Sequence, residues 1–155
     1  MNELGDDDLA FLRRAVELAG EASLSGNPPF GSLIVNGGRV LAEATNTTLT
    51  DDDVSAHPEL KLAVWAARSL DPEQARATTL YTSSENCAMC AGAFVIAGLG
   101  RLVFAISGDQ LRELRGPSAS RSPRLPARTV LEAASYPIVV TGPALVEEGL
   151  AVHTA

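Results

Sequence analysis

The stretch from residue 78 to residue 106 constrains the fold more than any other part of this chain. Residues 78–82 read as a short strand, residues 87–99 as an apolar helix and residues 101–106 as a buried strand. At that spacing the three form a β-α-β unit. Its two strands run parallel, because a helical crossover returns the chain to the same end of the sheet. Parallel pairs need helices on both faces, so the unit points to a layered α/β architecture.

The rest of the chain extends the pattern. Leu9, Leu12, Val16 and Ala19 recur at helical spacing, and Asp6-Asp7-Asp8 ahead of them suit an N-cap and a first turn at the positive helix end. This first helix is expected to run to about Ser23. Residues 25–29, Ser-Gly-Asn-Pro-Pro, break it, and two apolar-rich runs at 30–35 and 39–46 flank Asn36-Gly37-Gly38 as a hairpin. Residues 58–70 read as a second helix ending before Asp71-Pro72. Residues 116–126 hold three prolines among serines and arginines and read as a loop. A last strand at 138–141 and a last helix at 143–152, with Pro143 in its first turn, complete the order. The expected fold is a three-layer α/β/α arrangement around a mixed, mostly parallel five-stranded sheet. With no repeat and no linker-like stretch, residues 1–155 are expected to form one domain.

Composition narrows the class. Twelve Lys plus Arg against nineteen Asp plus Glu leave a net charge of −7, which argues against nucleic acid as the partner, since that affinity comes largely from basic side chains on phosphates. Five of the eleven arginines fall in 112–128, read here as a solvated loop. No apolar run approaches the ~18 to 20 residues of a membrane span, and the acidic N-terminus is unlike a secretory signal. Two cysteines alone, Cys87 and Cys90, give no disulfide framework, so a cytoplasmic protein is expected.

Two segments carry the chemistry: Ala56-His57-Pro58-Glu59 and Glu85-Asn86-Cys87-Ala88-Met89-Cys90, each opening an expected helix. Cys87 and Cys90, three apart, share one helix face, so both sulfurs can reach one zinc ion (Zn2+), with His57 as third ligand. A helix N-terminus favours the thiolate that metal binding needs. Three protein ligands leave a fourth tetrahedral position for water, the mark of a catalytic rather than a structural site. Two thiolates and a neutral imidazole bring the zinc site to zero net formal charge, so the water is acidified less than at a three-histidine site and a proton acceptor is needed nearby. Glu59, in the first turn of the same helix as His57, is placed for that role. Pro58 pushes His57 from helical angles toward the cap position, and Asn86 is suited to cap the second of these helices.

With His-x-Glu and Cys-x-x-Cys thirty residues apart, the chain resembles the zinc-dependent cytidine-deaminase-like superfamily, in particular its guanine, cytosine and tRNA adenosine deaminases. The match departs at Asn86, where that family has proline. Pro29-Phe30-Gly31 resembles the start of the family's first strand, and Cys90-Ala91-Gly92-Ala93 continues the metal helix in its style. The resemblance spans residues 9–106 and weakens beyond Gly108. It implies a hydrolytic deaminase of an amino-substituted heterocycle, guanine- or cytosine-type or a noncanonical base, releasing ammonia, and a homodimer. It also implies that Asn46 and the backbone N–H of Ala56 hold the ring's polar edge, and that carbonyls just before Cys87, at Ser84 and Glu85, receive the amine. Phe30 would stack on the ring. Two alternatives remain open: a tRNA adenosine deaminase, and a non-catalytic zinc or dithiol module. In the zinc version of that module His153 would close a Cys2His2 set. Trp65 reads as packing or interface, outside the site.

Overall fold

The computed structural model describes residues 3–154, so Met1, Asn2 and Ala155 of the expected 1–155 domain lie outside the described residues. Its elements in chain order are α1 (Asp6–Leu24), β1 (Gly31–Asn36), β2 (Arg39–Thr45), α2 (Pro58–Ser69), α3 (Pro72–Arg76), β3 (Thr79–Ser84), α4 (Ala88–Ala97), β4 (Arg101–Ile106), α5 (Gly108–Arg115), α6 (Ala127–Glu132), β5 (Val139–Thr141) and α7 (Val146–Ala151). The sheet runs β2-β1-β3-β4-β5. β1 pairs antiparallel with both β2 and β3, whereas β3, β4 and β5 pair in parallel. Four strands therefore point one way and β1 alone opposes them, although the pairings divide evenly between the two kinds.

Strand alternation builds the layers. Ile34, Leu80, Leu102 and Phe104 face one side, against Leu62 and Ala66 of α2, Ala91 and Phe94 of α4, and Leu131 of α6. Their neighbours Leu33, Val35, Tyr81, Val103 and Ala105 face the other side, against Leu12, Ala15 and Leu18 of α1. Each large apolar side chain fully buried this way contributes about 1.5–3 kcal/mol. The expected hairpin forms with Gly37 and Gly38 both in the left-handed region (φ 59° and 76°), as a two-residue turn between twisted strands requires. At Gly31 a Cβ would collide with Leu18 and the backbone of Ala19, so only glycine lets α1 lie directly on the start of β1.

Several local expectations are corrected. Gly5, not an aspartate, is the N-cap of α1, and its N–H donates to Asp8 Oδ2 at 3.0 Å. Pro143 precedes α7 rather than opening it. It follows a cis peptide bond from Gly142, and Ala144 N–H donates to Ala105 O, so this stretch is held to the sheet and not free to turn helical. The sequence reading has no counterpart to α3, α5 and α6 because all are short, and the apolar pattern of α5 is only Leu111 and Leu114, neither of them buried. The signal for two of them was in the caps: Asp71 with Gln74, and Ser107 with Gln110, each form a reciprocal capping box. Residues 116–126 are irregular, as expected. No described helix is long and apolar enough to cross a membrane.

Candidate active site

The carboxyl ends of β3 and β4 and the amino end of β1 meet beside the first turns of α2 and α4. Such an edge is where open α/β sheets place ligands. His57 is the N-cap of α2, with extended angles (φ −84°, ψ 141°) ahead of Pro58 at the first helical position. Cys87 is the N-cap of α4 (φ −67°, ψ 170°), and Cys90 lies one turn inside it, fully buried. The loop into α2 is held by Asn27, whose Oδ1 accepts from Leu49 N and Thr50 N at 3.1 Å each, and by Lys61, whose Nζ donates to Thr45 O at 2.8 Å.

His57 Nδ1 lies 3.7 Å from Cys87 Sγ and 3.5 Å from Cys90 Sγ, and the three donor atoms all fall within 4.8 Å of one another. Tetrahedral zinc with ordinary Zn–N and Zn–S bonds sets N and S about 3.6 Å apart, so the donor set and its spacing fit that ion. The protons of this cluster are shared. The thiol of Cys90 and then His57 hold Cys87 down at about 4 against its burial. Cys90 is pushed up, by donating to Cys87 and by burial, and His57 is raised chiefly by its hydrogen bond with Cys87. A divalent cation would replace those shared protons. His153 is not among the clustered groups; its ring lies edge-on to Phe30 with centroids 5.2 Å apart.

A cavity of about 370 Å³ opens over the cluster, bordered by Phe30, Asn46, His57, Glu59, Ser84 and Cys87 among others. Glu59 is buried, 6% exposed, and burial pushes its carboxyl up to about 7. Ser32 Oγ lies 3.4 Å from Glu59 Oε1 and 2.8 Å from Thr82 Oγ1, which in turn donates to Ser84 O at 3.1 Å. Ser32 and Thr82 were not singled out from sequence; the available signal was hydroxyls on inward positions of apolar strands. Asn46 is oriented: its Oδ1 accepts from Thr48 N and Thr48 Oγ1, both at 2.9 Å, which leaves its amide N–H groups as the available donors.

One expected ligand contact, the N–H of Ala56, is committed elsewhere, and the side chain of Glu85 has a structural task beside its expected carbonyl role. Ala56 is absent from the cavity wall; its N–H donates to Asp53 O at 3.1 Å and its carbonyl accepts from Thr47 N, because the tight turn into α2 consumes both. Glu85 borders the cavity, but its carboxylate accepts from Gly108 N at 2.7 Å and Ala127 N at 2.8 Å, the first residues of α5 and α6. One side chain thus pins both ends of residues 108–127, which roof the cavity through Leu111, Arg112, Arg115 and Leu125. The segment read as a solvated loop is therefore a wall of the site. Asn86 does not cap α4, since Cys87 holds that position and neither amide atom of Asn86 has a partner.

Comparison with known proteins agrees with this geometry. Residues 6–120 match the model of the MafB19-like deaminase family. The chain belongs to that family. Among curated relatives, a probable cytosine deaminase of Schizosaccharomyces pombe is 36% identical over 97% of this chain and 93% of its own length. A guanine deaminase of Bacillus subtilis is 43% identical over 54% of each chain. Among solved structures, that of the protein NE0047 in complex with 2,6-diaminopurine superimposes with a TM-score of 0.79 at 26% identity, covering 97% of this chain and 82% of that one.

Proposed function

We propose that this MafB19-like deaminase hydrolyses an amino-substituted free base or nucleoside, replacing the exocyclic amine with a carbonyl and releasing ammonia. The observation that carries the reading is the meeting of His57, Cys87 and Cys90 donor atoms at metal-binding distances beside buried Glu59, on the wall of a cavity sized for a small heterocycle. His57 Nδ1 and the two sulfurs would hold zinc, which when bound supplies an acidified water and an electrophile. Glu59 takes a proton from the attacking water and hands protons to a ring nitrogen and to the departing amine, so one water is consumed for each ammonia released. Asn46 donates to an acceptor on the ring edge, and Phe30 supplies an apolar face. Ser84 O keeps a lone pair beyond its bond with Thr82, and in this reading it and the Glu85 carbonyl receive the amine.

A free base or nucleoside is favoured over tRNA by the net charge of −7 and the single lysine of the chain. Residues 1–155 act as one domain in this reading. Two free cysteines suit a reducing compartment such as the cytoplasm. Exposed Val64 and Trp65 on α2 and Met89 and Ile96 on α4 suit a homodimer formed through those helices. The test is an ammonia-release screen of the zinc-loaded protein across purine, pyrimidine, triazine and pterin amines, with Glu59→Gln alongside. Turnover by wild type, and about 10²–10⁴-fold less by a variant that keeps its zinc, is expected. Substantial residual turnover in the variant, or ammonia from tRNA and none from any base, would overturn the reading.

A further inference from the structure

Asn86 is 2% exposed, borders the cavity beside Cys87, and has no hydrogen-bond partner for either Oδ1 or Nδ2. The other buried asparagines are served: Asn27 Oδ1 accepts from the 49–50 backbone while its Nδ2 donates to Thr50 Oγ1, and Asn46 Oδ1 accepts twice from Thr48. A buried carboxamide left without partners is costly, and native structures keep few such groups without a reason. Its backbone cannot move away to find one. Glu85 before it is fixed by its N–H to Ile106 O and by its carboxylate on two helix starts, and Cys87 after it caps α4.

Of the other polar groups on this wall, Asn46 keeps only its N–H donors and Arg112 only donors, its unpartnered Nε–H among them, while the acceptors named next each carry a partner. Ser84 O accepts from Thr82, the Glu85 carboxylate serves Gly108 and Ala127, and Asn46 Oδ1 serves Thr48. Asn86 brings an unused acceptor and an unused donor side by side. The amide is closed to solvent in the free protein, so engaging a ligand takes a side-chain rotation, and that rotation breaks no hydrogen bond.

We propose that Asn86 is a specificity-determining residue whose carboxamide pairs with the polar edge of the bound heterocycle, selecting rings that present an acceptor next to a donor. A ring carbonyl beside a ring N–H, away from the reacting amine, is such an edge, and a carboxamide can meet it with two hydrogen bonds at once. The proposal rests on the deaminase reading above. It carries an unusual signature: removing the amide relieves a buried unpaired group in the free protein while weakening the ligand.

The experiment compares zinc-loaded wild type, Asn86→Leu and Asn86→Pro, by melting temperature without base and by calorimetric dissociation constants for cytosine, guanine and 8-azaguanine. KM and kcat are measured for whichever base is turned over. Both variants are expected to melt no lower than wild type. They should bind the preferred base about 5- to 140-fold more weakly, equivalent to ~1–3 kcal/mol, with the order among the three bases altered and KM changed more than kcat. Unchanged affinity and order, or variants that melt lower or fail to fold while wild type is active, would show a structural role and overturn the proposal alone. Wild type that neither binds these bases nor releases ammonia would overturn the deaminase reading, and this proposal with it.

Discussion

Glu85→Gln tests whether one carboxylate holds the roof of the site closed. In the native protein Glu85 Oε1 accepts from Gly108 N at 2.7 Å and Oε2 from Ala127 N at 2.8 Å. Glutamine keeps the shape but has one acceptor, so one backbone N–H faces an NH2 group and the other hydrogen bond loses its charge. A hydrogen bond to a charged group is worth about 1.5–3 kcal/mol, so residues 108–127 should open roughly 10- to 150-fold more often. That segment carries Arg115, Arg121 and Arg124, all exposed, so limited trypsin digestion reads the opening directly, with the rate following the open population when reclosure outpaces cleavage. Cleavage there should rise by that factor, and KM should rise more than kcat falls, because the roof borders the cavity but supplies none of the His57, Cys87, Cys90 cluster. Equal cleavage rates and an equal KM in the two proteins would refute the reasoning and return Glu85 to a minor role.

Three further outcomes are expected. Asp8 accepts from Arg101 and from Tyr81 Oη, and the Arg101 guanidinium holds its carboxyl down at about 2 from the ordinary 3.8, so it stabilises the fold by about 2 kcal/mol above pH ~4 and loses that as pH falls toward 2. Urea unfolding should show Asp8→Asn less stable than wild type by that amount at pH 6 and equal near pH 2; a gap that persists at low pH argues against the pairing. Cys90→Ser should lose zinc on dialysis against a weak chelator while His153→Ala keeps about one ion per chain, by metal analysis. Loss of metal from His153→Ala would point to closed coordination. Gly31→Ala should lower stability by about 1–3 kcal/mol, read as a lower melting temperature, because its Cβ meets the α1 backbone; an unchanged value would mean that α1 can move away.

The sequence by itself determined the parts whose physics is local. The β-α-β unit, the hairpin at Gly37-Gly38 and the helix starts at His57 and Cys87 follow from periodicity, turn chemistry and proline, and all appear where expected within a few residues. The cluster of His57, Cys87 and Cys90 was legible for the same reason, since a His-x-Glu and a Cys-x-x-Cys at helix starts can be recognised without knowing how the helices meet. Only the tertiary structure decided how distant pieces use each other's hydrogen-bonding groups. That Ala56 spends its N–H on Asp53, that Glu85 ties two helix starts twenty-three and forty-two residues away, and that Asn86 is left with nothing, depends on which loops arrive beside them. The arginine-rich stretch looks solvated because its residues are polar; it becomes a cavity wall because a carboxylate from another loop anchors both its ends. Spacing along the chain fixes which side chains share a face, whereas the pairing of buried polar groups is settled by the whole packing, and there the identity of a residue does not reveal its partner.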